Sequence, residues 1–199
     1  MPYDYRGMTP EERREVVRRR WGLGYPTHAP PHPYRDAGRY LLTAANFEHT
    51  ENMVMPDRRV DFEARLLDAL QAAGARVLAW VVLPNHYHVL VEVDSLDGVS
   101  SALHRLHGAT SRQWNLEDGQ VGKRRVWYRF ADRRLRDEAH FYRALNYVHV
   151  NPVRHGYVED PYEWPCSSLH SYYEVCGRDW LRDKWKAHPP VDLGGDFDV

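Results

Sequence analysis

Two apolar segments in the middle of the chain are separated only by the dipeptide Pro84-Asn85, a pattern that predicts a β-hairpin. Residues 76–83 and 86–93 are rich in Val and Leu, and each is long enough for one strand. The hairpin supplies two strands of a sheet, and the segments that precede and follow it predict the rest.

Before the hairpin, residues 40–45 form a β-like run, and residues 57–73 have the apolar spacing of an amphipathic helix that stops at Gly74. After the hairpin, residues 95–115 predict a second helix and residues 126–130 a fourth strand. The order βαββαβ predicts an α+β protein of the ferredoxin-like class, an antiparallel sheet with helices on one face.

A further helix is predicted from Asp137, which can cap its first turn, to about Val150. Pro152 is expected to prevent its continuation. The chain is divided accordingly into an arm at residues 1–38, a main domain at residues 39–173 and an acidic tail at residues 174–199. The arm combines a short basic helix, which Thr9 can cap, with a Pro-rich linker.

The net charge is close to zero, but the charges are unevenly distributed along the chain. There are 27 Lys and Arg against 28 Asp and Glu, for a formal net charge of -1. Residues 101–136 contain nine basic and three acidic residues, whereas residues 159–199 contain nine acidic and four basic. A basic middle segment suits contact with phosphates, although a GC-rich genome that prefers Arg codons explains the arginines equally well.

Several classes of protein are excluded by composition. No apolar run approaches the roughly 18 residues that span a bilayer, and residues 1–20 lack the apolar core of a secretory signal. Only Cys166 and Cys176 are present, which predicts two reduced thiols in the cytoplasm. The two cysteines and His170 are only a weak signal for zinc.

His86 and His88 are alternate residues of the second hairpin strand, so both project from the same face of the sheet. Two imidazoles placed in this way can hold one metal ion, provided that a third ligand is close. A polar strand face with two unliganded histidines is the alternative.

A helical step of about 100° per residue brings His140, Arg143, Tyr147 and Asn151 to one flank of the last helix. Tyr147 would supply a nucleophile and Asn151 a third metal ligand, with Arg143 or His140 helping the phenol to ionise. Asn151 precedes a proline, which disfavours helical geometry and places it at or just past the helix end. Half-buried packing is the alternative role of Tyr147.

Three segments together resemble the HUH single-tyrosine transposases, and most closely the REP-associated tyrosine transposase branch. The matching segments are residues 83–91 (LPNHYHVLV), 147–156 (YVHVNPVRHG) and 162–168 (YEWPCSS). The similarity extends over roughly residues 39–173, and the combination is far more specific than any motif alone.

The resemblance implies that His86, His88 and Asn151 bind Mg²⁺ or Mn²⁺ and that Tyr147 is the nucleophile. Imidazole-rich sites also accept Zn²⁺ or Ni²⁺. The implied activity is that of a single-stranded DNA nuclease and strand transferase that acts on hairpin-forming repeats through a 5′-phosphotyrosine intermediate. The protein would act as a monomer or a homodimer.

DNA contacts are expected from the cationic and aromatic residues of the stretch 124–130, although Trp127 and Phe130 are equally well explained as core residues. The family pattern often has Thr-x-Arg where this chain has residues 44–49, so Glu48 or His49 could instead reach the metal. A non-cleaving DNA- or RNA-binding regulator is the alternative function, and a metal-dependent hydrolase is a weaker one. The expected DNA-binding residues are Arg124, Arg125, Arg129, Arg133, Arg134 and Arg154.

Overall fold

In the computed structural model, described for Thr9, Glu11, Glu12, Glu15 and residues 36–120 and 124–190, one antiparallel sheet contains four strands. The strand order is β2-β3-β1-β4, as in a ferredoxin-like βαββαβ unit. The predicted α+β class is confirmed. The strands are β1 (Gly38–Ala45), β2 (Arg76–Val82), β3 (His86–Val93) and β4 (Ala131–Leu135).

Four long helices connect or follow these strands. They are α1 (Pro56–Ala72), α2 (Leu96–Glu117), α3 (Glu138–Arg154) and α4 (Leu169–Ala187). Short 3-10 turns cover Phe47–His49 and Pro161–Glu163. Within the described part of the chain, none of the helices has the length and hydropathy that a membrane span requires.

The sheet separates two buried layers because alternate residues of β3 point to opposite faces. On one face, Tyr87 packs against Phe62 of α1, with ring centroids 5.5 Å apart. On the other face, His88 meets Tyr147 of α3, with ring centroids 5.1 Å apart. Helices α1 and α2 therefore cover one face, and α3 covers the face on which the two histidines lie.

The predicted strand at residues 126–130 is wrong, because β4 begins one residue later, at Ala131. In residues 126–130, only an isolated bridge from Trp127 to Asn46 and a bond from Tyr128 N to Ala45 O are β-like. The apolar pattern there indicated burial rather than strand pairing. The paired residues are instead the charged sequence ADRRL, which suits a strand at the edge of the sheet.

The expectation that Pro152 would stop α3 is also wrong, since the helix continues through it to Arg154. Pro152 lacks the N–H that would donate to the carbonyl of Val148, one turn earlier, so the helix continues with that one hydrogen bond missing. The helix ends at Arg154, and Gly156, two residues later, turns the chain away with a φ of +71°. Asn151 is therefore helical.

The segment expected to be an acidic tail is in part a helix. The boundary expected at residue 173 lies within α4, which begins at Leu169. Asn146 of α3 ties the end of this helix to the domain by donating to the carbonyls of Lys184 and His188, at 3.0 and 2.6 Å. The last residues of the expected tail, 191–199, lie outside the described residues.

The N-terminal arm is described at only a few positions. There, Thr9 Oγ1 accepts a hydrogen bond from Glu12 N at 3.2 Å, and the Glu12 carboxylate accepts one from Thr9 N at 2.7 Å. This reciprocal pair is a capping box, and it confirms Thr9 as the predicted helix cap. The Pro-rich linker falls almost wholly outside the described residues.

Buried neutral histidines predict that the fold loses stability in acid. Burial lowers the pKa of His149 to about 3, and its Nε2 lies 3.1 Å from Ser168 Oγ. The unfolded chain binds this proton near pH 6.5, so the stability is complete above that pH and is lost as the pH falls toward 3. The loss should be about 1.4 kcal/mol of unfolding free energy per pH unit for this residue.

Urea unfolding of wild type and His149→Gln between pH 7 and pH 4.5 measures this contribution. We expect the variant to have a lower unfolding free energy at pH 7. We also expect its unfolding free energy to fall less steeply with decreasing pH, because it lacks the one proton that His149 takes up on unfolding. An equally steep fall in both proteins would show that His149 is not held neutral.

Candidate active site

Two imidazoles lie side by side at the start of β3, as the alternation of the strand predicted. The ring centroids of His86 and His88 are 5.0 Å apart, and the ring planes meet at 78°. Both side chains are buried. Their common face turns toward α3.

His88 is fixed by a neighbour across the sheet. The register of β1 and β3 pairs it with Thr43, whose Oγ1 lies 2.7 Å from His88 Nδ1. This contact sets the orientation of the ring and makes Nε2 the nitrogen that would bind a metal.

His86 is held neutral at physiological pH. Burial, followed by the imidazoles of His88 and His155, holds the pKa of His86 well below its ordinary value. The ring centroid of His155 is 4.8 Å from that of His86. A neutral imidazole has a lone pair on one nitrogen, as a metal ligand requires.

The hydrogen-bond partners of His86 indicate which nitrogen that is. Nδ1 lies 2.6 Å from Asn85 Oδ1, and Nε2 lies 3.2 Å from Asn151 Oδ1. Asn85 Nδ2 donates to His49 O, at 3.3 Å, which fixes the orientation of that amide. With the His86 proton on Nδ1, the lone pair of Nε2 faces the oxygen of Asn151. Neither atom can donate a hydrogen bond to the other, whereas a cation between them would be bound by both.

Tyr147 lies on the inner ridge of α3, one turn before Asn151. Its side chain is completely buried, and its hydroxyl has no hydrogen-bond partner among the described residues. The guanidinium of Arg154 lies over the ring, 5.1 Å from its centroid. The structure thus brings together the four residues that the two motifs singled out: His86, His88, Tyr147 and Asn151.

The cation beside Tyr147 differs from the one expected. Arg143 is exposed, and His140 lies in the first turn of α3, where its Nδ1 accepts from Arg136 N at 3.4 Å. The cation that contacts the ring is Arg154, which the sequence suggested only as a DNA contact.

Three other side chains of the site were missed: Thr43, Asn85 and His155. The i, i+4 spacing of His155 from Asn151 was a usable signal, but ending the helix before Pro152 concealed it. Of the residues suggested as additional ligands, His49 lies close enough to lower the pKa of His86, and Glu48 and His49 both have positive φ values, 55° and 52°. Within the described ranges, there is no cluster of three or more His, Cys, Asp or Glu that suits a metal.

The arginines of residues 124–129 are arranged at the end of the sheet. Arg124 forms an ion pair with Asp118 at 2.7 Å. Arg125 lies over the rings of Phe47 and Tyr128, at 5.1 and 5.3 Å. Arg129 is exposed. Arg125 and Arg129 are thus the two cations of this stretch placed at the surface.

Two further expected DNA-binding residues lie on the edge strand. Arg133 and Arg134 are half-buried on β4, opposite Leu41 and Tyr40 of β1. They therefore point to opposite faces of the sheet, and Arg133 shares the face of His88. Arg134 donates to Ala37 O at 3.2 Å.

Comparison with known proteins agrees with the motifs. Over 173 residues the chain is 27% identical to a curated Haemophilus influenzae protein named as a REP-associated tyrosine transposase, and the match covers 82% of this chain and 96% of that protein. Over 119 residues it is 29% identical to the REP-associated tyrosine transposase of Escherichia coli, covering 59% of this chain and 62% of the relative. The chain is a homologue of REP-associated tyrosine transposases.

The fold is shared as well. A solved structure of a REP-associated tyrosine transposase bound to a REP hairpin superposes with a TM-score of 0.60 at 21% identity, covering 74% of this chain and 86% of that one. No protein-family model matches the chain.

The contact between Thr43 and His88 predicts a specific loss of metal affinity. Thr43→Val keeps the shape of the side chain but removes the hydrogen bond to Nδ1. Because a partner of this kind orients its ligand, we expect Mn²⁺ to bind about tenfold more weakly. Isothermal titration calorimetry measures the change, and Thr43→Ser, which keeps the hydroxyl, should bind nearly as wild type does. Equal affinities for Thr43→Val and wild type would contradict the assignment.

Proposed function

We propose that this protein is a metal-dependent single-stranded DNA nuclease and strand transferase that resembles a transposase and acts on hairpin-forming repeats. The observation that supports this most strongly is the packing of Tyr147 against His88, beside the facing acceptors of His86 and Asn151. The names of the homologues point to the same chemistry. A relative named as a REP-associated tyrosine transposase matches 82% of this chain, and a solved structure of such a transposase covers 74% of it.

The residues present fit a divalent cation. His86 and His88 would bind it through Nε2, and Asn151 through Oδ1. These are ligands that Mn²⁺ accepts, and Mg²⁺ is the other candidate that the resemblance implies. A cation bound there would withdraw negative charge from a non-bridging oxygen of the scissile phosphate.

The proposed reaction exchanges one phosphate ester for another. The Tyr147 hydroxyl loses its proton and attacks phosphorus in line, so that a bond between Oη and phosphorus forms while the bond to the 3′-oxygen breaks. The departing 3′-oxygen takes up a proton. The products are a 5′-phosphotyrosyl DNA and a free 3′-hydroxyl, and attack by that hydroxyl or by another strand's reverses the step and transfers the strand.

Arg154 would act at two places in this reaction. Its guanidinium already lies over the ring on which negative charge develops, and the side chain is exposed, so it can also reach a phosphate. A planar, permanently charged group suits both tasks.

The rest of the DNA surface would extend from this site. One cluster near the surface consists of Arg125, Phe47 and Tyr128, in which the guanidinium lies over both rings. Arg125 is exposed, and the two rings are half-buried. His49 joins it, with its ring centroid 6.2 Å from that of Tyr128, and His49 is close to His86. Unpaired bases can stack on such rings while arginines neutralise the phosphates.

One observation favours the alternative, a non-cleaving DNA- or RNA-binding regulator. Tyr147 is completely buried, so a phosphate reaches its hydroxyl only if neighbouring side chains move. Arg154, whose guanidinium lies over the Tyr147 ring, is an exposed one of these neighbours.

A covalent adduct separates the two functions. Protein incubated with single-stranded hairpin DNA and Mn²⁺ should give a DNA-linked band on a denaturing gel, because the phosphotyrosyl bond survives denaturation. Tyr147→Phe should abolish the band and retain DNA binding, since it removes only the hydroxyl.

Tyr157→Phe is the matched control, because Tyr157 lies close to the site but outside the proposed machinery. It should retain the adduct. An adduct that persists in Tyr147→Phe would remove Tyr147 as the nucleophile, and tight binding without any adduct would support the regulator.

A further inference from the structure

A groove of about 450 Å³ lies between α2 and residues 124–130, on the surface of the layer that contains Tyr87. The histidines and Tyr147 lie on the opposite face of the sheet. The groove is therefore separate from the candidate active site, and its volume is that of a typical site for a small molecule or a nucleotide.

The charge of the groove is positive. Among the described residues that line it there are three arginines and no Asp or Glu. Arg124 is paired with Asp118, whereas Arg125 and Arg129 are exposed at the rim. This arrangement leaves two surface cations for phosphates.

One wall of the groove is rigid and aromatic. His107 of α2 stacks on Trp127 with ring centroids 4.5 Å apart and planes at 13°. Both rings are anchored from behind, because Trp127 Nε1 donates to Thr110 Oγ1 at 3.0 Å and His107 Nε2 lies 3.1 Å from the Tyr87 hydroxyl. Beside this wall, His104 is exposed and Tyr128 is half-buried.

The groove and the active site meet at one corner of the sheet. Tyr128 N donates to Ala45 O at 2.9 Å, which joins the groove segment to the end of β1. Ala45 is paired with His86 across β1 and β3. The cluster of Arg125, Phe47 and Tyr128 lies at this corner.

We propose that the groove is a second nucleic-acid subsite, which holds one or two unpaired nucleotides of the strand whose scissile phosphate reaches Tyr147. The base packs against the wall of His107 and Trp127, beside His104 and Tyr128, and Arg125 and Arg129 bind its phosphates. The inference rests on the proposed function, because it takes single-stranded DNA as the substrate. It adds an anchor that is distant from the chemistry.

Gly108 of α2 permits a test that fills the groove. It lines the groove and is helical, and a Cβ added there meets nothing within 4 Å. Gly108→Tyr should therefore fold and block the subsite. Ala109→Tyr is the matched control, because Ala109 is the next residue of α2, is exposed and does not line the groove.

Fluorescence anisotropy with a labelled oligothymidylate of about 16 nucleotides measures the binding. Because Gly108→Tyr removes the stacking of one base, we expect it to bind the oligonucleotide about tenfold or more weakly. The affinity of Ala109→Tyr should stay within about twofold of wild type. Equal binding by all three proteins would overturn the proposal.

Photo-crosslinking gives an independent readout. An oligothymidylate substituted with 5-iododeoxyuridine should crosslink to His104 or Tyr128, and mass spectrometry of the peptides would identify the residue. Crosslinks confined to the Tyr147 face would overturn the proposal.

The adduct assay distinguishes this failure from that of the proposed function. At saturating hairpin DNA, Gly108→Tyr should still form the Tyr147-dependent adduct. If Gly108→Tyr binds DNA as tightly as the wild-type protein and forms the adduct, the groove proposal is overturned and the proposed function is not. If the wild-type protein does not bind DNA, both the groove proposal and the proposed function are overturned.

Discussion

The pairing of β1 with β3 is the constraint on which the rest of the molecule depends. Its register sets Thr43 opposite His88, and the 2.7 Å contact between them orients the ring. A shift of one residue would turn both histidines toward α1 and α2 and Tyr87 toward α3. Since both faces of β3 are buried, such a shift would place polar imidazoles in an apolar layer, and the register is therefore strongly specified.

The second constraint is the continuity of α3 through Pro152. Because the helix does not stop before the proline, Asn151 stays on the same ridge as Tyr147, and Arg154 returns to that ridge two turns after the tyrosine. A helix that ended at Val150 would have lost the contact between Asn151 and His86. The missing N–H of Pro152 removes one hydrogen bond near the end of α3 but does not interrupt the helix.

The sequence was sufficient for the features that depend on local periodicity. The strand alternation of His86 and His88 and the helical spacing of Tyr147 and Asn151 each follow from a single element, and the structure brings the two pairs together. The hairpin and the βαββαβ order were predictable for the same reason.

The remaining features depend on contacts between distant segments. Trp127 and Phe130 suggested a strand because they are apolar, but both are core residues, and Trp127 packs on Phe62 of α1 and Trp114 of α2. The strand pairing belongs to the charged residues that follow. Thr43 entered the site through a register that no local pattern encodes. The helix α4 was missed because the acidic excess of residues 159–199 indicated a solvated tail, although α4 itself contains three acidic and four basic residues. Asn146 holds the end of this helix against α3.

The central claim is that Tyr147 becomes bonded to DNA beside the two histidines. Mass spectrometry of the protein after reaction with hairpin DNA and Mn²⁺, followed by digestion with nuclease and protease, tests it most directly. The account predicts a nucleotide phosphate on the peptide that contains Tyr147 and on that residue. A nucleotide attached to another side chain, or cleaved DNA with an unmodified protein, would contradict it.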